Sequence, residues 1–306
     1  MAQELGKDPS PWAEKANVSE KALFAQCFDD EDEFFYDRDR GGRFVRVQSD
    51  VLLRVLACEI GDDAFFAAVL SRYLLNTRKF FAKYPPTSIA LDDPRFDPAF
   101  DYNSWCGPTN LLTLIRTAHA FEHHHRHVEL TWILQPALAA LFKGTRFAQT
   151  IHPFTGREGF TECYSPAILG LLDFVERLCG IQPRPDGALW FTGLVPKQID
   201  HRDASHETAY ARTVDGRRFT LSNDQSRMIA TCDGTPLFSA PSGIRIITDR
   251  NGALTGVVGM RLTPVEGTIV TPQGDLAFRV EANEQLELHG GGFVRVRSPG
   301  VVLPTT

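Results

Sequence analysis

The sequence predicts a mainly α-helical chain followed by a separate β-domain, with helices over residues 1–183 and a small antiparallel β-sandwich over 184–306. Three observations predict it. Before about residue 181, apolar residues recur at helical spacing. After it, β-branched runs of strand length take over. Those runs are punctuated by VDGR, CDGT, RNGA and PQGD, whose Asp-Gly, Asn-Gly and Gln-Gly pairs are two-residue hairpin signals.

Taken in order, the helical segments are ALFAQCF, DDAFFAAVLSRYLL, PTNLLTLIRTAHAF, ELTWILQPALAALF and SPAILGLLDFVERL. Ser19, Asp62 or Asp63, Thr109 or Asn110, and Ser165 stand where N-caps belong. Pro108 and Pro166 fit first turns, where a missing N–H costs nothing. QPRPDG then reads as the linker into the β-domain.

With 43% hydrophobic residues, 306 residues are enough for two modest cores. A net charge of −6, with no clustered Lys or Arg, argues against nucleic acid as a partner. No apolar run approaches the roughly 20 residues that cross a bilayer, and the N-terminus carries no signal pattern, so no membrane partner and a cytoplasmic location are expected. Six cysteines without C-x-x-C spacing indicate neither a zinc site nor a disulfide framework, and no cofactor is expected. His119, His123 and His127 share a helix face, but the order around Glu122 is not H-E-x-x-H, so they read as structural. The acidic run Asp29 to Glu33 lacks the EF-hand pattern and reads as a solvated face.

Long polar connections separate the helices: DDEDEFFYDRDRGGRFVRVQSD, YPPTSIALDDPRFDPAFDYNSWCG, and FAQTIHPFTGREGFTECYSP. Loops of this length inside a compact domain are usually functional or disordered. Their many aromatic, Asp and Asn residues favour function. Short turns at one end of helix pairs and aromatic-polar loops at the other suggest a helical toroid with a cavity at the long-loop end. Sugars use what such loops offer, flat aromatic faces and planar amides or carboxylates.

FFYDRDRGGRFVRV, YPPTSIALDDPRF, YNSWCGPTNLLTLIR and FAQTIHPFTGREGFTECYSPAILGLLDF follow one another in that order. Together they resemble the closing half of the (α/α)6-toroid glycoside hydrolases, the group of trehalase, the processing α-glucosidase and mannosylglycerate hydrolase. The resemblance covers roughly residues 20–180, and the tail is similar to the small β-domain that some members append. It implies hydrolysis of an α-linked sugar or small glycoside with inversion. One carboxyl group protonates the leaving oxygen and another activates water on the opposite face, about 6.5 to 9.5 Å away.

Residue by residue, the resemblance carries two departures. The family's acid lies upstream of the FFYDRD-like segment, where this chain has little before Ser19. The family's base is a Glu in F-x-E-x-Y-x-P-x-T-G, and the matching positions are Phe147, Gln149, Ile151, Pro153, Thr155 and Gly156. Gln149 can orient a water or a hydroxyl but cannot take its proton.

Glu162 and Glu158 are the nearby acids able to replace it. Glu162 is preferred, because its neighbours Thr161, Cys163 and Tyr164 promise burial and a raised pKa. The competing role for both is to favour the positive end of the following helix. Tyr36 and Asp37 occupy the segment the resemblance places near substrate. Trp105 is a stacking platform or a core residue, Asn110 a hydroxyl ligand or a cap, and His152 a substrate contact or the partner of a turn. Three readings stay open: an inverting glycosidase, a carbohydrate-binding remnant or half-toroid, and an interaction module that self-associates or completes a toroid with another chain.

Overall fold

The computed structural model describes residue 2 and residues 5–99, 105–161, 163–195 and 206–306. Among them are six helices: α1 (Ser10–Cys27), α2 (Val51–Leu56), α3 (Asp63–Val69), α4 (Leu111–His123), α5 (His127–Lys143) and α6 (Ser165–Cys179). α3 continues into a π-helical stretch, Leu70–Leu74. The unexpected element is α2, whose six residues are too few to print a helical period.

Capping decides the starts. Asp62 accepts the N–H of Phe65 at 2.8 Å and opens α3, while Asn110 accepts that of Leu112 at 2.9 Å and opens α4. Ser19 caps nothing, because α1 begins at Ser10 and Ser19 falls inside it. Ser165 is already helical, with Tyr164 as a cap that lends no side chain. Pro108 lies ahead of a two-residue strand, Thr109–Asn110, and so outside the first turn of α4. α1 buries none of its residues fully and is fixed at its last turn, where Phe24 meets the rings of Phe28, Phe35 and Phe65 at 5.1 to 5.6 Å.

The β-part is built from β1 (Ile181–Pro183), β2 (Leu189–Thr192), β3 (Glu207–Val214), β4 (Arg217–Asp224), β5 (Arg227–Cys232) and β6 (Thr235–Pro241). It continues with β7 (Ile244–Thr248), β8 (Leu254–Gly259), β9 (Val265–Thr271), β10 (Gly274–Val280), β11 (Gln285–His289) and β12 (Gly292–Arg297). They form two six-stranded antiparallel sheets, in the orders β12-β11-β8-β7-β2-β1 and β10-β9-β6-β5-β4-β3. The Asp-Gly signals hold: Asp215-Gly216 and Asp233-Gly234 both take positive φ in two-residue turns. QPRPDG is not a linker. Gln182 and Pro183 pair with Trp190 and Leu189, and the segment is a hairpin at the edge of the first sheet.

Phe191, Ile246 and Val257 of the first sheet pack against Phe219, Met228, Phe238, Ile269 and Val280 of the second. The other face of the first sheet meets the helices, since Val258 and Met260 belong to the helical core. A strand covered on both faces has no room for alternation, and only Ile247 of β7 is not fully buried.

Polar clamps fasten the two parts. The buried carboxylate of Glu129 on α5 accepts the Asn283 amide at 2.6 Å and the Val302 N–H at 2.9 Å, and Asn283 Oδ1 accepts the Val128 N–H at 2.7 Å. The chain end returns to the helices, with Thr77 donating to the Thr305 carbonyl at 2.9 Å.

Candidate functional site

Within the segment Phe147 to Pro166, expected as a loop, Gln149 to Phe160 form a hairpin pinned on both sides. Thr109 and Asn110 pair with Ile151 and Thr150, and Leu111 donates to the Gln149 carbonyl at 3.0 Å. On the other side Gln149 donates to Phe160 at 2.8 Å and Tyr164 to Phe147 at 2.8 Å. The turn between needs Gly156, whose φ is +70 and whose added Cβ would stand 2.7 Å from the Tyr84 ring. These ladders put Thr109, Asn110, Gln149 and Tyr164 at the end of the helices where α4 and α6 begin.

A second line of hydrogen bonds brings α2 to the same place. Asp50 donates its N–H to Ser88 O at 3.0 Å, and Ser88 Oγ accepts the N–H of Gly107 at 2.8 Å. Gly107 has φ +155, and a Cβ there would lie 2.3 Å from the Asp97 carbonyl, so only glycine lets the two backbones close. One turn beyond Asp50, Arg54 holds its guanidinium 4.9 Å over the half-buried ring of Trp105. Burial pushes the Tyr164 phenol up, and the charge of Arg54 opposes that shift.

Asp50 is the residue the sequence reading missed. Its side chain does not cap α2, is 1% exposed, and completes no hydrogen bond through either carboxyl oxygen. Burial lifts its pKa from 3.8 to about 7; the nearby Thr113 hydroxyl, which stops short of hydrogen-bond geometry, and the Arg54 charge restrain the rise. A carboxyl group poised there can hold or release a proton near neutrality.

The remaining expected residues separate. Asn110 spends its side-chain oxygen on the α4 cap, and its buried Nδ2 has no partner. Gln149 is 8% exposed, and its backbone is held by Leu111 and Phe160. Glu162 lies outside the described residues. Glu158 is a clamp: it accepts the N–H groups of Thr145 and of Arg146, the latter at 2.8 Å, and Arg146 Nε lies 3.4 Å away. Against the effect of burial, these contacts hold its carboxyl below the usual range. That ties it to the turn after α5 and not to α6, and it is a poor proton acceptor.

His152 partners a turn, its Nδ1 facing the N–H groups of Phe154 at 3.2 Å and Thr155 at 3.4 Å. It shares with Glu158, Arg146 and Pro108 a surface hollow of about 270 Å³. Tyr36 packs in the core, 4% exposed, and its hydroxyl donates to Asp32 at 2.7 Å and accepts from Gln48 at 3.1 Å. Burial and Asp32 push its phenol far above its ordinary value. Asp37 is exposed on a short ladder opposite Val45. Asp29 and Asp32, expected on a solvated face, are bound by Arg46 at 2.7 and 2.6 Å.

A larger cleft of about 750 Å³ lies elsewhere, lined by Glu59, His119, His123, Arg184, Trp190 and Glu287. The Trp190 ring there is occupied by Arg184 at 4.0 Å and Arg245 at 4.2 Å, which leaves it poorly placed to stack on a sugar. His119 and His123 approach Glu59 at 3.1 and 3.7 Å, whereas His127 is buried against Arg245 at 3.2 Å, so the three histidines share no centre.

Residues 1–167 match the family model described as mannosylglycerate hydrolase MGH1-like glycoside hydrolase domain. Among solved structures, the GH63 mannosylglycerate hydrolase from Thermus thermophilus in complex with glucose is similar at 21% identity and a TM-score of 0.47 over 56% of this chain. This chain spans 43% of that protein's length. A sialidase is similar at 12% identity and a TM-score of 0.51, over 78% of this chain and 24% of its own. The neutral trehalase from Saccharomyces cerevisiae is similar at 12% identity and a TM-score of 0.46, over 56% of this chain and 31% of its own. No curated protein matches the chain. No helix among the described residues is long and apolar enough to cross a membrane. With its family model matched over more than half of its 306 residues, the chain belongs to the mannosylglycerate hydrolase MGH1-like glycoside hydrolase domain family.

Proposed function

We propose that the chain takes an α-linked sugar or small glycoside at the long-loop end of its helices, which form part of an (α/α)6 toroid, and hydrolyses it with inversion. The observation that supports this reading is the ladder that pairs Thr109 and Asn110 with Ile151 and Thr150 beside Gln149, the residue that the resemblance aligns with the family's base. Trp105 offers the aromatic face and Asn110 the amide, and Glu162 is the proposed base in place of Gln149. Binding without turnover is the second reading, favoured by the amide at Gln149 and the clamp on Glu158. An assay of aryl and natural α-glycosides tests both. Turnover lost in Glu162→Gln, with Gln149→Ala raising only KM, supports hydrolysis, and glycoside binding without turnover in the wild type supports the second reading.

We also propose self-association, or a partner chain that completes the ring. Ile168, Leu169 and Leu172 form an open apolar stripe on α6 at 40, 59 and 60% exposure.

A further inference from the structure

Among the described residues, eleven buried side-chain polar atoms have no hydrogen-bond partner, and six of them belong to four side chains on or at the start of α2 and α4, two helices that pack together. They are both carboxyl oxygens of Asp50, Nε and Nη2 of Arg54, Nδ2 of Asn110 and the Thr113 hydroxyl. The other five are scattered singly over His124, Arg126, Gln182, Thr208 and Asn223. An unmet buried polar group costs about 1 to 3 kcal/mol, so a cluster of six is a large standing penalty. Chance orphans fall one at a time; a cluster that sets acceptors beside donors has the composition of a binding site.

The placement is equally specific. Asn110 and Thr113 lie on the opening turn of α4, which packs against α2. Asp50 and Arg54 lie one turn apart on α2, and the guanidinium reaches the Trp105 ring. Two acceptor oxygens near a guanidinium, with an unpartnered amide at the start of the facing helix, match what two adjacent hydroxyls require, since each hydroxyl donates once and accepts through its lone pairs. The groups that act on Asp50 are the Arg54 charge from its own helix and the neutral Thr113 hydroxyl of α4.

We propose that Asp50 and Arg54, seconded by Asn110, hold a pair of adjacent hydroxyls of the sugar at Trp105, and so select sugars by hydroxyl configuration. This rests on the saccharide reading above. Hydroxyls that donate to Asp50 favour its charged form, so binding tightens as pH rises through neutrality.

The test is calorimetric titration of the full chain with methyl α-D-mannopyranoside and methyl α-D-glucopyranoside, which differ at one hydroxyl, at pH 5.5, 7 and 8.5. Wild type, Asp50→Asn, Arg54→Gln and Trp105→Ala are compared, each checked for a cooperative melt. The proposal expects unequal affinities for the two glycosides, about tenfold tighter wild-type binding at the highest pH than at the lowest, and at least about tenfold weaker binding in Asp50→Asn and Arg54→Gln. It also expects Asp50→Asn to flatten the pH profile. Binding within about twofold of wild type in those two variants, with loss in Trp105→Ala, overturns the proposal and leaves the saccharide reading standing. Failure of the folded wild type to bind either glycoside overturns both. Should Asp50→Asn not fold, Arg54→Gln and the wild-type pH profile decide between these outcomes.

Discussion

The guanidinium of Arg54 lies 4.9 Å over the ring of Trp105, joining a short helix to a loop that sequence reasoning placed at a sugar site on independent grounds. A cation over an indole is worth about 0.5 to 2 kcal/mol. An aromatic face lost from a saccharide site removes contact area that no neighbour replaces. Trp105→Ala should therefore weaken glycoside binding about tenfold or more, about 1.4 kcal/mol, whereas Trp105→Phe keeps most of it. Titration calorimetry with a methyl α-glycoside reads the difference, and equal affinity in Trp105→Ala removes Trp105 from the site.

Asp50 should make stability depend on pH in the sense opposite to a salt-bridged acid. Its carboxyl titrates at about 7 in the fold against 3.8 ordinarily. Between those values the folded protein retains a proton that the unfolded chain has released, so stability falls as pH rises through the window and the loss is complete above it. The integrated effect is about 4 kcal/mol as an order of magnitude. Asp50→Asn cannot lose it. Urea unfolding at pH 4.5 and 8 should show the variant gaining on wild type at the higher pH, and a constant difference between them would contradict the assignment.

What was legible in the sequence follows from how local each signal is. Asp62, Asn110 and the Asp-Gly turns act within a few residues, so their chemistry can be read without partners. Asp50 could not be found this way. An acid ahead of an apolar pair looks like an N-cap, and the burial of its carboxyl depends on tertiary packing such as that of α2 on α4. The one usable signal was Arg54 four residues later. The partners of Tyr36 were illegible for the converse reason: a resemblance over a segment says nothing about which way one hydroxyl turns, and Asp32 and Gln48 take this one. The pairing of Gln149 between Leu111 and Phe160 joins residues too far apart for periodicity to register.

Asn283 should be among the costliest polar residues to remove. It is fully buried at φ +61, and its amide meets Glu129 and the Gly300 carbonyl while its oxygen takes the Val128 N–H. Asn283→Ala leaves one oxygen of the buried Glu129 and the buried Val128 N–H without their partner, for a loss of about 2 to 5 kcal/mol. Chemical denaturation measures it. A loss under about 1 kcal/mol would mean that the clamp between helices and sheet is not energetically coupled.

The stripe on α6 predicts association that a charge should abolish. Sedimentation velocity of the wild type should show a coefficient that rises with concentration, and Leu169→Lys with Leu172→Lys should return a monomer of unchanged cooperative melt. A concentration-independent wild-type monomer removes the expectation of self-association.

Gln149 offers the sharpest test of catalysis because the change needed is one atom in kind. The amide, at the position proposed for the base, is 8% exposed and held by backbone bonds on both sides, so Gln149→Glu replaces an NH2 by an oxygen without moving the strand. A carboxylate there can take the proton from water that the amide cannot. If the rest of the machinery is in place, Gln149→Glu should raise kcat on an aryl α-glycoside by about 10² or more, the usual scale of a positioned base. Adding Glu162→Gln then separates the two carboxylates. A rate that survives the second change makes Glu162 dispensable once a base is restored at position 149. A rate lost with it keeps Glu162 in the reaction, and no gain from Gln149→Glu in a folded, glycoside-binding variant argues for binding without turnover.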